Sequence, residues 1–124
     1  MRGARGSAAV EFALVLPLLL TLAMALLQLG LLAKDQMMVQ EASRAGARQA
    51  SVTLDDASVD HAVNEAAAGL DPSSLSTSVQ RDPGRGTPVT VRVQYEAPIS
   101  LPIVGWLLPS AVALSAAATM RQEM

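Results

Sequence analysis

Cysteine is absent from this chain, which excludes disulfides and thiolate metal sites while leaving the compartment open. Aromatic residues are almost absent: Phe12, Tyr95 and Trp106 are the only three in 124 residues. Any core must be built from alanine, valine and leucine, and a folded part of this size can bury only a modest one. Charge is sparse as well. The formal net charge is −2 and no cluster of Lys and Arg marks a basic surface, so no nucleic-acid partner is expected.

Charge is missing altogether from residues 12–33, a run of 22 interrupted only by Pro17, Thr21, Gln28 and Gly30. As a helix this run spans about 33 Å, enough to cross the hydrocarbon of a bilayer. Arg2, Arg5 and the terminal amine precede it, whereas Lys34 behind it is offset by Asp35. That asymmetry predicts a single span with the N-terminus in the cytoplasm and residues from 34 onward outside. A cleaved secretory signal is the competing reading. The run exceeds the usual 7–15 residues, however, and Leu31-Leu32-Ala33 puts leucine where a small residue is wanted. A plain uncleaved anchor also fits, but leaves Glu11 unexplained.

Glu11 stands at the mouth of this run, five residues after Gly6. A carboxylate costs about 2.5–3.5 kcal/mol at the bilayer centre, so it needs a partner or a purpose. Basic residues, a glycine and an acid at this spacing point to a processing site. Pro17 removes a backbone donor and frees the carbonyl of Ala13. Two readings stand for it: a tolerated membrane proline, or a weak point where the helix bends or unwinds on leaving the membrane.

The helical pattern continues past the run, with Met38, Ala42 and Ala45 opposed by Asp35, Gln40, Arg44 and Arg48. One helix is therefore expected over residues 7–51, its second half packed on a small domain. Asp55 or Asp56 can cap a short second helix with the stripe Val59, Ala62, Val63, Ala66 and Leu70. After Pro72 the period becomes two. Leu75, Thr77 and Val79 alternate with polar residues, as do Val89, Val91, Val93 and Tyr95, and then Val112, Leu114, Ala116, Ala118 and Met120. Asp82-Pro83-Gly84-Arg85-Gly86 reads as a hairpin turn. The fold class is α+β: a long N-terminal helix with a transmembrane first half, a short second helix and a small three-stranded antiparallel sheet.

Residues 97–109 are apolar but carry three prolines, too short and broken for a span. They are either a loop covering the core or an exposed patch, with Ile99, Leu101, Ile103, Trp106 and Leu107, that meets a partner or the membrane surface.

No chemistry emerges elsewhere. His61 falls opposite Val59 and Val63, near Glu65. Asp55, Asp56 and Asp60 suit a helix start and lack calcium-loop spacing. Serines 73, 74, 76 and 78 have no base in a nucleophile motif, and Gly84-Arg85-Gly86 lacks the end of a phosphate loop. No enzyme, cofactor, metal or small-molecule substrate is expected.

The segment Arg5-Gly6-Ser7-Ala8-Ala9-Val10-Glu11-Phe12-Ala13-Leu14-Val15-Leu16-Pro17-Leu18-Leu19-Leu20 resembles the N-terminus of the TadE-like family of tight-adherence (Tad) pilus proteins. The likeness continues through Gln40-Glu41-Ala42-Ser43-Arg44-Ala45-Gly46-Ala47-Arg48, and more loosely near the C-terminus. It implies a pilin-like minor pilin or pseudopilin of the type IV superfamily, a structural subunit in assembly of an adhesive pilus. A membrane prepilin peptidase would cut after Gly6. Residues 1–6 would then be a leader, 7–33 the span, 34–51 its extracytoplasmic continuation and 52–124 a small extracytoplasmic domain. Cleavage would leave the Ser7 ammonium four residues from Glu11, able to neutralise it within the chain or in a neighbour. Partners implied are the peptidase, other pilin or pseudopilin subunits, the Tad membrane platform and the bilayer; the location implied is the bacterial cytoplasmic membrane, with incorporation in a pilus. The alternative is an uncleaved single-span protein with an extracytoplasmic binding domain.

Overall fold

The structure, a computed structural model of the chain, describes residues 2–99, 106 and 110–123. A single helix of 51 residues, α1 (Arg2–Val52), comes first and is about 76 Å long at 1.5 Å per residue. It starts five residues before the expected Ser7 and runs through Pro17 unbroken.

The two halves of α1 differ in what covers them. Large apolar side chains from Val10 to Leu31 are exposed on every side, and none of the most apolar eighteen-residue stretch is buried. A helix apolar all round with nothing packed on it is suited to hydrocarbon, and this one is long and apolar enough to cross a bilayer. In the second half Val39, Ala42, Ser43, Gly46, Ala47 and Ala50 form one buried face at spacings of three and four. The expected stripe of Met38, Ala42 and Ala45 is corrected by a small rotation: Ala42 is buried, while Met38 and Ala45 are half-buried at the rims. Ser43 can join the buried face because its hydroxyl donates to the Gln40 carbonyl at 2.7 Å, so no polar atom is stranded.

Helix α2 (Asp56–Ala66) follows after a short break. Asp55 caps it, its carboxylate accepting the Ala57 N–H at 3.1 Å and the Ser58 hydroxyl at 2.8 Å. Val59 and Val63 face the core, and Ala67 and Leu70 continue that face beyond the helix end. Asp71 then caps a single 3₁₀ turn (Pro72–Ser74); the Ser73 hydroxyl and backbone N–H hold its carboxyl below the usual value.

Three strands follow among the described residues: β1 (Leu75–Arg81), β2 (Pro88–Pro98) and β3 (Ala111–Arg121), all antiparallel in the order β1-β2-β3. Central β2 buries Val89, Val91, Val93, Tyr95 and Ala97, every second residue. Its two prolines stand at its first and last positions, where a missing N–H disturbs the ladder least. In the β1–β2 turn Gly84 and Gly86 have φ of 112° and 78°, conformations that side chains beyond glycine resist.

The apolar segment 97–109 is not all loop. Ala97 and Pro98 belong to β2, paired with Val112 and Ala111, and the Ile99 N–H donates to the Ser110 carbonyl at 2.9 Å. Strand periodicity simply overrides Pro98 at a strand end. Leu101, Ile103 and Leu107 lie outside the described residues. Trp106 is 81% exposed, so it does not cover the core.

The sheet lies along α1, fastened at three heights. The Glu123 N–H donates to the Ser51 carbonyl at 2.8 Å, the Gln36 amide to the Ser115 carbonyl at 3.1 Å, and the Gln28 amide to the Pro98 carbonyl at 3.1 Å. From Gln28 to Ser51 the helix rises about 35 Å, and eleven residues of strand cover about 37 Å. Helix segment and strand therefore match in length. The sheet reaches Gln28, six residues on the N-terminal side of Lys34, where the uncharged run has ended.

Arg81 closes the opposite end. Its guanidinium donates to the Thr53 carbonyl at 3.0 Å, to the Leu54 carbonyl at 3.4 Å and to the Asp56 carboxylate, tying the last residue of β1 to the α1–α2 junction. Arg81 is mostly buried whereas Asp56 is largely exposed, so the carbonyl bonds carry more of the effect than the ion pair. Arg81→Ala should destabilise the domain by about 1–3 kcal/mol, read as earlier thermal loss of β signal in circular dichroism. Asp56→Ala should cost less.

Candidate processing and assembly site

The N-terminal turn of α1 is built to be weak. Gly3 and Gly6 each cost about 1 kcal/mol against alanine in a helix. The first turn contains no acidic residue, and Arg5 adds positive charge near the positive end of the helix dipole. A Cβ at Gly3 or Gly6 would meet nothing within 4 Å, so packing does not demand glycine there. Residues around the Gly6–Ser7 bond are exposed, and the turn that carries it can be unwound without disturbing a core.

Ser7 and Glu11 are both exposed on this part of α1. Four residues apart, they lie about 6 Å apart along the axis and some 40° apart around it, hence on one face. Their neighbours Val10, Phe12 and Leu14 are exposed and apolar. Glu11 is therefore a carboxylate presented outward from an otherwise apolar surface. Pro17 is a further six residues along and about a third of a turn away around the axis. Beside it, the Thr21 hydroxyl donates to the Pro17 carbonyl at 2.8 Å; such back-bonding often bends a helix slightly. The sequence marks Thr21 only as an interruption of the apolar run.

The remaining candidates are elsewhere. Ile99 is half-buried at the end of the β2–β3 ladder, on the level of Gln28, and thus about 26 Å along the axis from Glu11. The structure separates the acid and the apolar connection by nearly the thickness of a bilayer's hydrocarbon. His61 is exposed, its Nε2 3.7 Å from a Glu65 carboxylate oxygen, and the Glu41–Arg44 pair is a surface contact at 3.9 Å. Among the described residues no group of three or more His, Cys, Asp or Glu could hold a metal ion.

A stretch of α1 from the candidate cleavage glycine to the buried face of the second half is thus one continuous unit. Residues 6–48 match the TadE-like protein family. The TadE-like segment begins at Gly6, contains Ser7, Glu11 and Pro17, and ends among the α1 residues that carry the domain, leaving α2 and the sheet outside it. No curated protein and no solved structure matches the chain.

Sequence reasoning missed Gly46. A Cβ there would come within 2.7 Å of Val63 Cγ2 and 2.9 Å of Val91 Cγ1, so α1, α2 and β2 meet at this glycine. Its signal was available: it is the only glycine in residues 34–50, in a helix where glycine is disfavoured.

Proposed function

We propose that the protein is a minor pilin or pseudopilin, a non-enzymatic structural subunit in the assembly of a Tad-type adhesive pilus, cut after Gly6 by a membrane prepilin peptidase. The observation that carries this reading is Glu11: an exposed acid on the apolar half of α1, inside the TadE-like segment and one turn from Ser7. Cleavage turns the Ser7 nitrogen into an ammonium on the same face. That charge neutralises Glu11 in its own chain or in a neighbouring subunit. A pair formed between neighbours in a low-dielectric bundle fixes their axial register, because any offset leaves both charges unpaired. Removal of residues 1–6 also strips Arg2 and Arg5, weakening the cytoplasmic hold before extraction.

In this reading α1 crosses the cytoplasmic membrane with its N-terminus inside, and the α+β domain is extracytoplasmic. Partners are the peptidase, other pilin-like subunits and the Tad platform. N-terminal mass spectrometry of protein extracted from peptidase-containing cells should find a chain beginning at Ser7. An intact Met1 in those cells overturns the processing step.

A further inference from the structure

The sheet is fastened so low on α1 that its tip overlaps the apolar run. Strand β3 meets Gln36 at Ser115, and β2 meets Gln28 at Pro98. Between these two bonds the sheet descends toward the N-terminus of α1 by eight helix residues, about 12 Å. Gln28 lies five residues inside the uncharged run that ends at Ala33. The Pro98 level is therefore about 7.5 Å on the apolar side of the run's outer end. Counted from Phe12, helix residues up to Gln28 cover only about 25 Å, short of the 30 Å of a typical hydrocarbon core. A hydrocarbon core that starts at Phe12 reaches past the level of the sheet tip, and one that starts at Ser7, about 32 Å before Gln28, ends at that level, so the tip meets the outer boundary in either case.

Composition agrees with this depth. No charged residue occurs from Ala97 to Met120, and the nearest charge on β2, Glu96, lies two residues back from Pro98 on an exposed position. The chain leaves the tip at Ile99 and returns to it at Ser110, and Trp106, between them in sequence, is 81% exposed. An exposed indole at the outer boundary of a span is the side chain that favours the headgroup region, with an apolar ring and one N–H for the wet side.

We propose that the tip of the sheet, with Trp106, is embedded in the headgroup region of the bilayer leaflet that α1 exits, so that the domain has a second, monotopic contact with lipid. The occupant is lipid because the tip is continuous with the helix surface that lipid already covers. This inference rests on the membrane span alone, and stands or falls separately from the pilin role and from cleavage.

Trp106 is the only tryptophan in the chain, so the full protein reports on itself. It is reconstituted in phosphatidylethanolamine–phosphatidylglycerol vesicles, with lipids brominated at shallow or deep acyl positions, and flotation checks insertion. Expected are flotation, blue-shifted emission, strong quenching by shallow bromines and weak quenching by aqueous acrylamide. Flotation with emission open to acrylamide and untouched by bromine overturns the proposal. Flotation with emission shielded from both quenchers also overturns it, since a second copy or the domain itself then covers the indole. Failure to float overturns the span, and this inference with it.

Discussion

Gly46→Leu should detach the α+β domain from α1. A single methyl at this position would already sit 2.7 Å and 2.9 Å from the γ-carbons of Val63 and Val91, and β-branched side chains are stiff at χ1. Neither valine can swing away, since both are fully buried. Gly46→Ala gains about 1 kcal/mol of helix propensity and loses about 1–3 kcal/mol to overpacking, so it should destabilise modestly. Four added carbons have no such margin, in a domain whose whole stability is of the order of 5–15 kcal/mol at most. Limited proteolysis in vesicles should show rapid loss of the region beyond α1 in Gly46→Leu. Gly69→Ala is the control: its new Cβ would meet the end of the flexible Met38 side chain, which can move, and protease resistance should be kept. Equal resistance in wild type and Gly46→Leu would refute the tight junction.

The second large effect belongs to Glu11. Glu11→Leu should leave membrane insertion intact or improved, because a costly carboxylate is removed, yet abolish pilus assembly. A charge pair at about 4 Å with an effective dielectric of about 20 is worth about 4 kcal/mol before desolvation is subtracted. Glu11→Gln separates charge from shape: it keeps the side chain's length, and it should impair assembly nearly as much as leucine if pairing with the new N-terminus sets the register. Normal piliation in either variant would argue against the pairing. Cleavage after Gly6, followed in the same cells, tells whether a defect arises before or after processing.

Much of this architecture is legible from periodicity. The shift from spacings of three and four to strict alternation after Pro72 marks the change from helix to sheet, and the Val89, Val91, Val93, Tyr95 row is the buried face of the central strand. Local chemistry also reads from sequence: of the two candidate caps Asp55 and Asp56 it is Asp55 that caps α2, and the two glycines of the β1–β2 turn adopt positive φ. What composition cannot reveal is contact between distant residues. Arg81 looks like the polar end of a strand, and only the fold brings it to Thr53 and Asp56. Gln28 looks like a blemish in an apolar run until Pro98 arrives beside it. The apolar pattern of α1 points slightly to one side of its buried face because Ser43 and Gly46 are not apolar, though small size is what a close helix–sheet approach requires. At the candidate site, Gly6 and Glu11 are visible as residue types at a fixed spacing, whereas the fragility of the helix turn before them depends on that turn being helical at all.

Helix α1 passes from its apolar half into its buried face with no hinge, glycine-rich linker or change of secondary structure. The domain consequently has no independent height or heading. Pushing the helix along its axis by one turn lifts the whole sheet by about 5.4 Å, and twisting it swings the sheet through the same angle. The geometry is that of a push-rod with its load clamped along the upper half of the shaft, so a displacement of the shaft beyond Pro17 is a displacement of the sheet.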